Sequence, residues 1–432
     1  MFGFQEDFLH LVWKYQYFDK KLLQTSQGLP LSILKIGYHN RHEGPDFMEA
    51  QIQLDGIDYF GHIEIHMHSS DWKNHQHQRD TRYNAVILHV VWKHDQEPCR
   101  EDGTTIPTLE LQGKVMLDVV RNYERLLFSQ RKILCSEGLS LIPEILRFSM
   151  LEKALVERLQ QKSEAVLGLL EQNQNDWEET AYQWLFYCFG FKTNSDAMLK
   201  LAKSLSFKLL KKNSGRPEIQ EALVFGQAGM LNAEQGDEYY RKLRQEYLFL
   251  VKKYNLKNGV YPGEWKFMKV RPSNYPTIRL AQVAVLLGKS PNLFSNVLYE
   301  LDNRETFHSI LKVEVSAYWR THHYFGKENK KRLNGALSQV VLDLLAINFV
   351  IPLWYAYGRF SELADWQEKC FNFLQDIPAE QNGIIRKYEE EGWEPHNAYD
   401  SQGMLGLFNH YCSHKKCLDC KIGQTLLRPS LK

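Results

Sequence analysis

The chain has almost no net charge: 53 Lys and Arg stand against 52 Asp and Glu, leaving +1 over 432 residues. No global field draws it to nucleic acid or a membrane, so any polyanion site must be a local patch. No apolar run reaches the roughly 18 residues a membrane helix needs. The longest candidate, Val340 to Leu353, contains Asp343 and Asn348 and reads as a buried helix. The opening segment lacks a basic region, and Glu6 and Asp7 interrupt its apolar residues, so no secretory leader is expected there. Cysteine is scarce and odd in number. Cys99, Cys135, Cys188 and Cys370 are scattered, while Cys412, Cys417 and Cys420 cluster near the end. That pattern is not a disulfide framework, and it favours a reducing cytoplasm. Fixed-period repeats and low-complexity tails are also missing.

What is present is the balance of an ordinary globular protein, 44% hydrophobic and 24% charged. The length predicts more than one domain. Residues 1–118 read as mixed α and β. An aromatic-rich amphipathic helix spans Phe4 to Phe18, and a short strand Leu31 to Gly37. Strands Phe47 to Leu54 and Tyr59 to Met67 flank the turn signal Asp55-Gly56. Trp72 to Tyr83 reads as a helix or helical turn. Ala85 to Trp92 is a strand covered on both faces, and Thr105 to Leu111 one more strand. Residues 119–405 show helical periodicity, and 406–432 form a Cys-rich tail. The expected class is α+β: an αβββαβ domain, a large all-α region and a metal-binding tail.

The densest chemistry lies between Gly44 and Tyr83. Asp46 and Glu64 are at similar distances from the Asp55-Gly56 turn, so an antiparallel hairpin sets them opposite each other. Alternation puts Ile63, Ile65 and Met67 on one face of the second strand and Glu64, His66 and His68 on the other. Two converging carboxylates suit Mg²⁺ or Mn²⁺, and such an ion activates water and neutralises a phosphodiester. His66 is placed to orient or deprotonate that water. His75, His77 and Asp80 follow; they read equally as further ligands or as hydrogen bonds at a strand edge, while Asp71 reads as a helix cap. His10 and His89, standing alone, read as ordinary core or surface histidines. The bland alternative for the whole group is a solvated sheet edge.

The order helix, strand, strand with Pro45-Asp46, strand with Glu64-Ile65-His66, helix, strand resembles the αβββαβ core of the PD-(D/E)xK phosphodiesterase superfamily. The resemblance implies that Asp46 and Glu64 bind the metal and that Glu6, on the first helix, assists. It departs at the lysine position, which is His66. Lys73, or Lys35, is then the candidate for the missing charge. The whole chain also resembles a bacterial family of uncharacterised proteins, through GPDF, EIHMHSSDW, HQHQRDTRYN, LHVVW and CLDCKIG.

In the tail, Cys412, Cys417 and Cys420 with His410 or His414 match a structural Zn²⁺ knuckle. The alternatives are an iron–sulfur cluster completed by a distant thiol such as Cys135, or three unliganded thiols. Two segments mix basic and aromatic residues, one with Lys269, Arg271 and Arg279, the other with Trp319 and Arg320. They suit a nucleic-acid backbone and its bases, unless the rings are simply core. The expectation is a cytoplasmic, metal-dependent nuclease-like phosphodiesterase acting on DNA or RNA, without a membrane partner. Its rivals are a catalytically inactive nuclease-fold module that binds nucleic acid or protein, and a zinc hydrolase using His66, His68, His75 and His77.

Overall fold

The structure, a computed structural model, describes residues 5–429 apart from 258, 269, 331 and 333. Lys269 therefore lies outside the described residues. The chain divides into two compact units, residues 1–150 with 407–432, and residues 151–406. These boundaries differ from those expected. Residues 119–150 and the Cys-rich tail belong with the sheet, because both bury apolar side chains in its core.

The first unit begins with helix α1 (Glu6–Tyr15), whose Phe8, Leu9, Leu11 and Val12 form a buried stripe. Six strands follow: β1 (Leu31–Lys35), β2 (Tyr38–His39), β3 (Phe47–Leu54), β4 (Ile57–His68), β5 (Val86–Lys93) and β6 (Thr108–Glu110). They form one mixed sheet in the order β1-β3-β4-β5-β6, with β2 also beside β3. The β1–β3 and β3–β4 pairs are antiparallel; β4–β5 and β5–β6 are parallel. Gly37, with φ +89°, joins β1 to β2, where a Cβ would meet the Met48 carbonyl at 2.7 Å. The helix expected between β4 and β5 is reduced to one turn, α2 (Asp71–Asn74), and two 3-10 turns, His77–Arg79 and Thr81–Tyr83.

Strand alternation sorts the sheet's two faces. Phe47, Ile63, Ile65, Leu88, Val90 and Leu109 pack with α1 and α3 (Leu117–Leu127), and Phe8 stacks on Tyr123 at 4.5 Å. Burying these side chains contributes about 1.5–3 kcal/mol each. The opposite face carries Glu64, His66 and His89, and Trp72 and Tyr83 of the 69–85 connection are buried near them.

The second unit is helical. It contains the apolar stretch Gln339–Phe360, whose most apolar segment is 67% buried, in keeping with the buried helix expected there. Pro352 has no N–H for the carbonyl four residues back, and the helix widens into a π-turn at Ala346–Val350. The Asn348 carbonyl is taken up by the Cys188 thiol at 3.2 Å.

A candidate metal centre on the polar face of the sheet

A bulge sets the register of the site. From the Asp55-Gly56 turn, where both residues have positive φ, Leu54 pairs with Ile57 and Ala50 with Gly61. The ladder then slips by one residue at Met48-Glu49, with Glu49 at φ +55°. Beyond the slip Phe47 faces Ile63, so Asp46 comes opposite Glu64. The Asp46 N–H donates to Glu64 Oε2 at 3.2 Å, and the Ile65 N–H donates to Asp46 Oδ2 at 2.8 Å. The acid pair expected from the hairpin is thus brought together.

Glu64 is the hub. Its Oε1 lies 3.4 Å from His66 Nε2 and 3.2 Å from His77 Nε2. His75 Nδ1 lies 3.1 Å from the same His66 nitrogen. The ligand atoms of His66, His75 and His77 all fall within 4.8 Å of one another. Donors at roughly 2.0–2.1 Å from one tetrahedral ion have edges of about 3.3–3.4 Å, so the three imidazoles stand within reach of a single ion and Glu64 touches two of them. His77 Nε2 is buried and makes no hydrogen bond, although it lies beside a carboxylate, which fits a nitrogen aimed at a shared point. On the other side of Glu64, Glu6, His10 and Asp46 form a second group, with His10 Nε2 3.3 Å from Asp46 Oδ2. His10 Nε2 is likewise buried without a hydrogen bond.

The electrostatics follow from burial. Glu64 is 4% exposed, and burial, then the Asp46 charge, push its carboxyl up to about 9. Glu6 rises to about 7 for the same two reasons. Burial, reinforced by His89, His77 and His75, pushes His66 down to about 2, and burial pushes His89 to about 3. Both rings are therefore neutral near pH 7, the form that ligates metal. A cation at Glu64 would reverse the pressure on the acids.

The expected residues do not all arrive. His66 is 1% exposed, its Nδ1 is 2.8 Å from His89 Nε2 and its Nε2 faces His75. With Nδ1 held by His89 and the ring closed off from solvent, its Nε2 faces the other imidazoles, a position that suits a ligand better than the base expected to handle the water. His68, at the strand end, is half exposed and turns toward Asp71, whose carboxylate accepts the His68 N–H at 3.0 Å. It leaves the histidine set. Lys35 pairs with Glu49 at 3.7 Å, away from the clustered histidines, and Lys73 is exposed on α2 with no contact to Glu64 or His66 among those described. Two residues read as ordinary, His10 and His89, belong to the site. A signal existed for His89: it is the single polar residue in the run AVILHVVW, and its parallel partner is Glu64.

The basic-aromatic segments are corrected more sharply. Trp319 is fully buried and stacks on Phe225 at 4.8 Å. Arg279 is 4% exposed, lies over the Phe191 ring at 4.5 Å and donates to Gln282 and Asn274. Arg320 pairs with Glu314 at 3.5 Å. Only Arg271, of the described residues in this set, is exposed. Large rings gain more from burial in the helical core than from waiting at a surface.

The chain matches the family model described as "Protein of unknown function (DUF2851)" over residues 6–383, and it belongs to that family. Comparisons with the curated proteins and with the solved structures gave no match.

Proposed function

We propose that this DUF2851 member is a metal-dependent hydrolase of phosphodiester bonds in nucleic acid, working from the polar face of its N-terminal sheet. The observation that carries the proposal is the convergence of His66, His75 and His77, with Glu64 against two of them and Asp46 alongside. The substrate class rests on the Asp46–Glu64 opposition, the feature of the sequence that resembles PD-(D/E)xK enzymes, although the observed order has a fourth strand before a connection reduced to single turns. Three imidazoles shift the expected ion from Mg²⁺ toward Zn²⁺ or Mn²⁺. Such an ion, when bound, lowers the pKa of water and neutralises phosphate charge.

The chain's own groups divide the remaining work. His89 holds the His66 ring from behind and fixes which nitrogen points at the site. Asp46, anchored by the Ile65 N–H, keeps Glu64 oriented through its own backbone N–H. Glu6 is partly exposed and, held at about 7, can take a proton from water near neutral pH. It replaces His66 as the general base.

The test is cleavage of single- and double-stranded DNA and RNA by the full chain with Mg²⁺, Mn²⁺ or Zn²⁺. Glu64→Gln and His77→Ala should abolish cleavage, and His68→Ala should leave it intact. Cleavage that survives Glu64→Gln overturns the proposal. A second reading, a non-catalytic docking module, is favoured by the neutral, buried His66 at the lysine position. Nucleic-acid binding without cleavage, unchanged by Asp46→Ala, would establish it.

A further inference from the structure

The three clustered cysteines of the tail are joined by a fourth from elsewhere in the chain. The tail turns at Cys412–His414, reverses at Lys415 (φ +54°), passes through a turn in which the Cys420 N–H donates to the Cys417 carbonyl at 3.3 Å, and enters the helix Lys421–Leu426. Gly423 permits this packing, since a Cβ there would meet the Cys417 carbonyl at 2.1 Å. The loop that holds Cys135 leads into a 3-10 turn, Ser136–Leu141, whose Gly138 seats against Leu426; a Cβ on it would fall 2.5 Å from that side chain. Cys135, Cys412, Cys417 and Cys420 consequently line one small cavity of about 20 Å³, closed by Leu134, Tyr411 and Gly423. His410, the expected fourth ligand, ends the helix Ala398–His410 and does not line it; His414 is exposed.

We propose that Cys135, Cys412, Cys417 and Cys420 hold a thiophilic metal as a four-thiolate centre. Four thiols do not need one another for packing, and a small apolar side chain would fill the same space. Two glycines are placed so that the tail helix can close on both cysteine-bearing segments. Four sulfurs in a cavity that no carboxylate lines select zinc or iron over the harder ions, and Lys416 in the wall offsets part of the thiolate charge. The cavity is about the size of one ion, and the thiols must draw together to close on it; an iron–sulfur cluster needs more room. Binding exchanges up to four thiol protons for the metal and involves no redox change in the protein. The centre would clamp a sequence-distant loop onto the C-terminal tail, which a closed four-ligand site does well.

The full chain, purified without air, is to be assayed for zinc, iron and acid-labile sulfide. The same assay is run on His75→Ala/His77→Ala, so that metal at the sheet is counted separately. Metal retained in that double variant and in His410→Ala, but lost in Cys135→Ser and Cys420→Ser, is the expected result. Colourless protein with zinc identifies a single ion; iron with sulfide and broad visible absorption identifies a cluster. Metal content unchanged by both serine variants overturns the proposal, as does metal lost in His410→Ala and kept in Cys135→Ser. Should a serine variant fail to fold, cobalt(II) added to the chelated wild-type chain decides. Intense sulfur-to-cobalt charge transfer is expected, with all four thiols protected from alkylation. A spectrum without it, with Cys135 alkylated equally with and without cobalt, refutes the centre.

Discussion

Both units bury polar side chains, but they use them differently. In the helical unit, Gln220 donates to the Leu210 carbonyl at 2.7 Å, Gln227 to the Lys257 carbonyl at 3.1 Å and Gln282 to the Gly335 carbonyl at 3.0 Å. These uncharged amides tie neighbouring segments together, and the unit's buried charges, Arg279 and Glu221, meet amides and hydroxyls, not a cluster of acids and imidazoles. On the sheet, Glu64, His66 and His89 are buried beside other titratable groups, each perturbed by its neighbours. A buried polar residue is thus no sign of a site by itself. Its partner is the guide: backbone carbonyls mark architecture, and a cluster of mutually perturbed acids and imidazoles marks a candidate site.

That contrast breaks if changes in one unit behave like changes in the other. The largest expected effect is structural. Trp319→Ala should lower the unfolding free energy by about 3–5 kcal/mol, as a large ring removed from a filled core does. Denaturant titration measures it. Metal binding by the folded fraction should be unchanged; a selective loss of nucleic-acid binding at full stability would instead return Trp319 to a surface role.

Glu64→Gln should do the reverse. Outer-shell residues cost about 10–100-fold when removed, so loss of the hub ligand should exceed that in cleavage rate and in metal affinity. Steady-state kinetics and calorimetric titration read both. Folding in chelator should be undamaged, because a buried acid is exchanged for a neutral amide of the same shape. His89→Ala tests the layer behind: metal affinity should fall about 10–100-fold while the metal-free fold persists.

The pH dependence separates the two kinds of shifted group. Glu64 is raised in the folded metal-free chain to about 9. Its contribution to stability is complete below the ordinary carboxylate range and is lost as pH rises toward 9, by at most about 1.4 kcal/mol per pH unit for one proton. His66 and His89 are lowered to about 2 and about 3, so theirs is present above the ordinary imidazole range and is lost as pH falls. Metal must displace the Glu64 proton, so the thermal shift caused by Mn²⁺ should grow from pH 5.5 to 8. In Glu64→Gln the alkaline decline should vanish and the acid decline remain. A thermal shift independent of pH would contradict the burial-driven account of Glu64.

The same contrast explains what could be read from the residues alone. The hairpin and the face carrying Glu64 and His66 follow from a period of two around a glycine turn, and local geometry transmits that faithfully; the turn brings Asp46 to the right neighbourhood but not to its exact partner. The one-residue slip at Glu49 was not legible, nor was the roll of His75 and His77 over the sheet, since a one-turn helix and two 3-10 turns have no strong periodicity. His10 and His89 were hidden because their partners are remote in sequence. Cys135 joins the tail through contacts that no spacing announces. The aromatic-basic segments misled because composition carries no direction: a ring beside an arginine looks the same whether it faces solvent or, like Trp319, the core.

Arg271 is the remaining test of that last point, and the smallest. It is exposed, precedes the 3-10 turn Pro272–Asn274, and stands beside a cavity of about 270 Å³ with Trp265, Phe191 and Arg279. If the helical unit touches a phosphate backbone through this segment, Arg271→Ala should weaken single-stranded nucleic-acid binding a few-fold and reduce the slope of log affinity against log salt by about 1. Sequence preference should not change, because a phosphate contact carries none. Fluorescence anisotropy across a salt series measures both quantities. An unchanged slope would leave this segment as core and cavity wall, and the search for the substrate path would narrow to the first unit, where Arg82, joined to Asp80 and Glu43, is an exposed cation near the histidines.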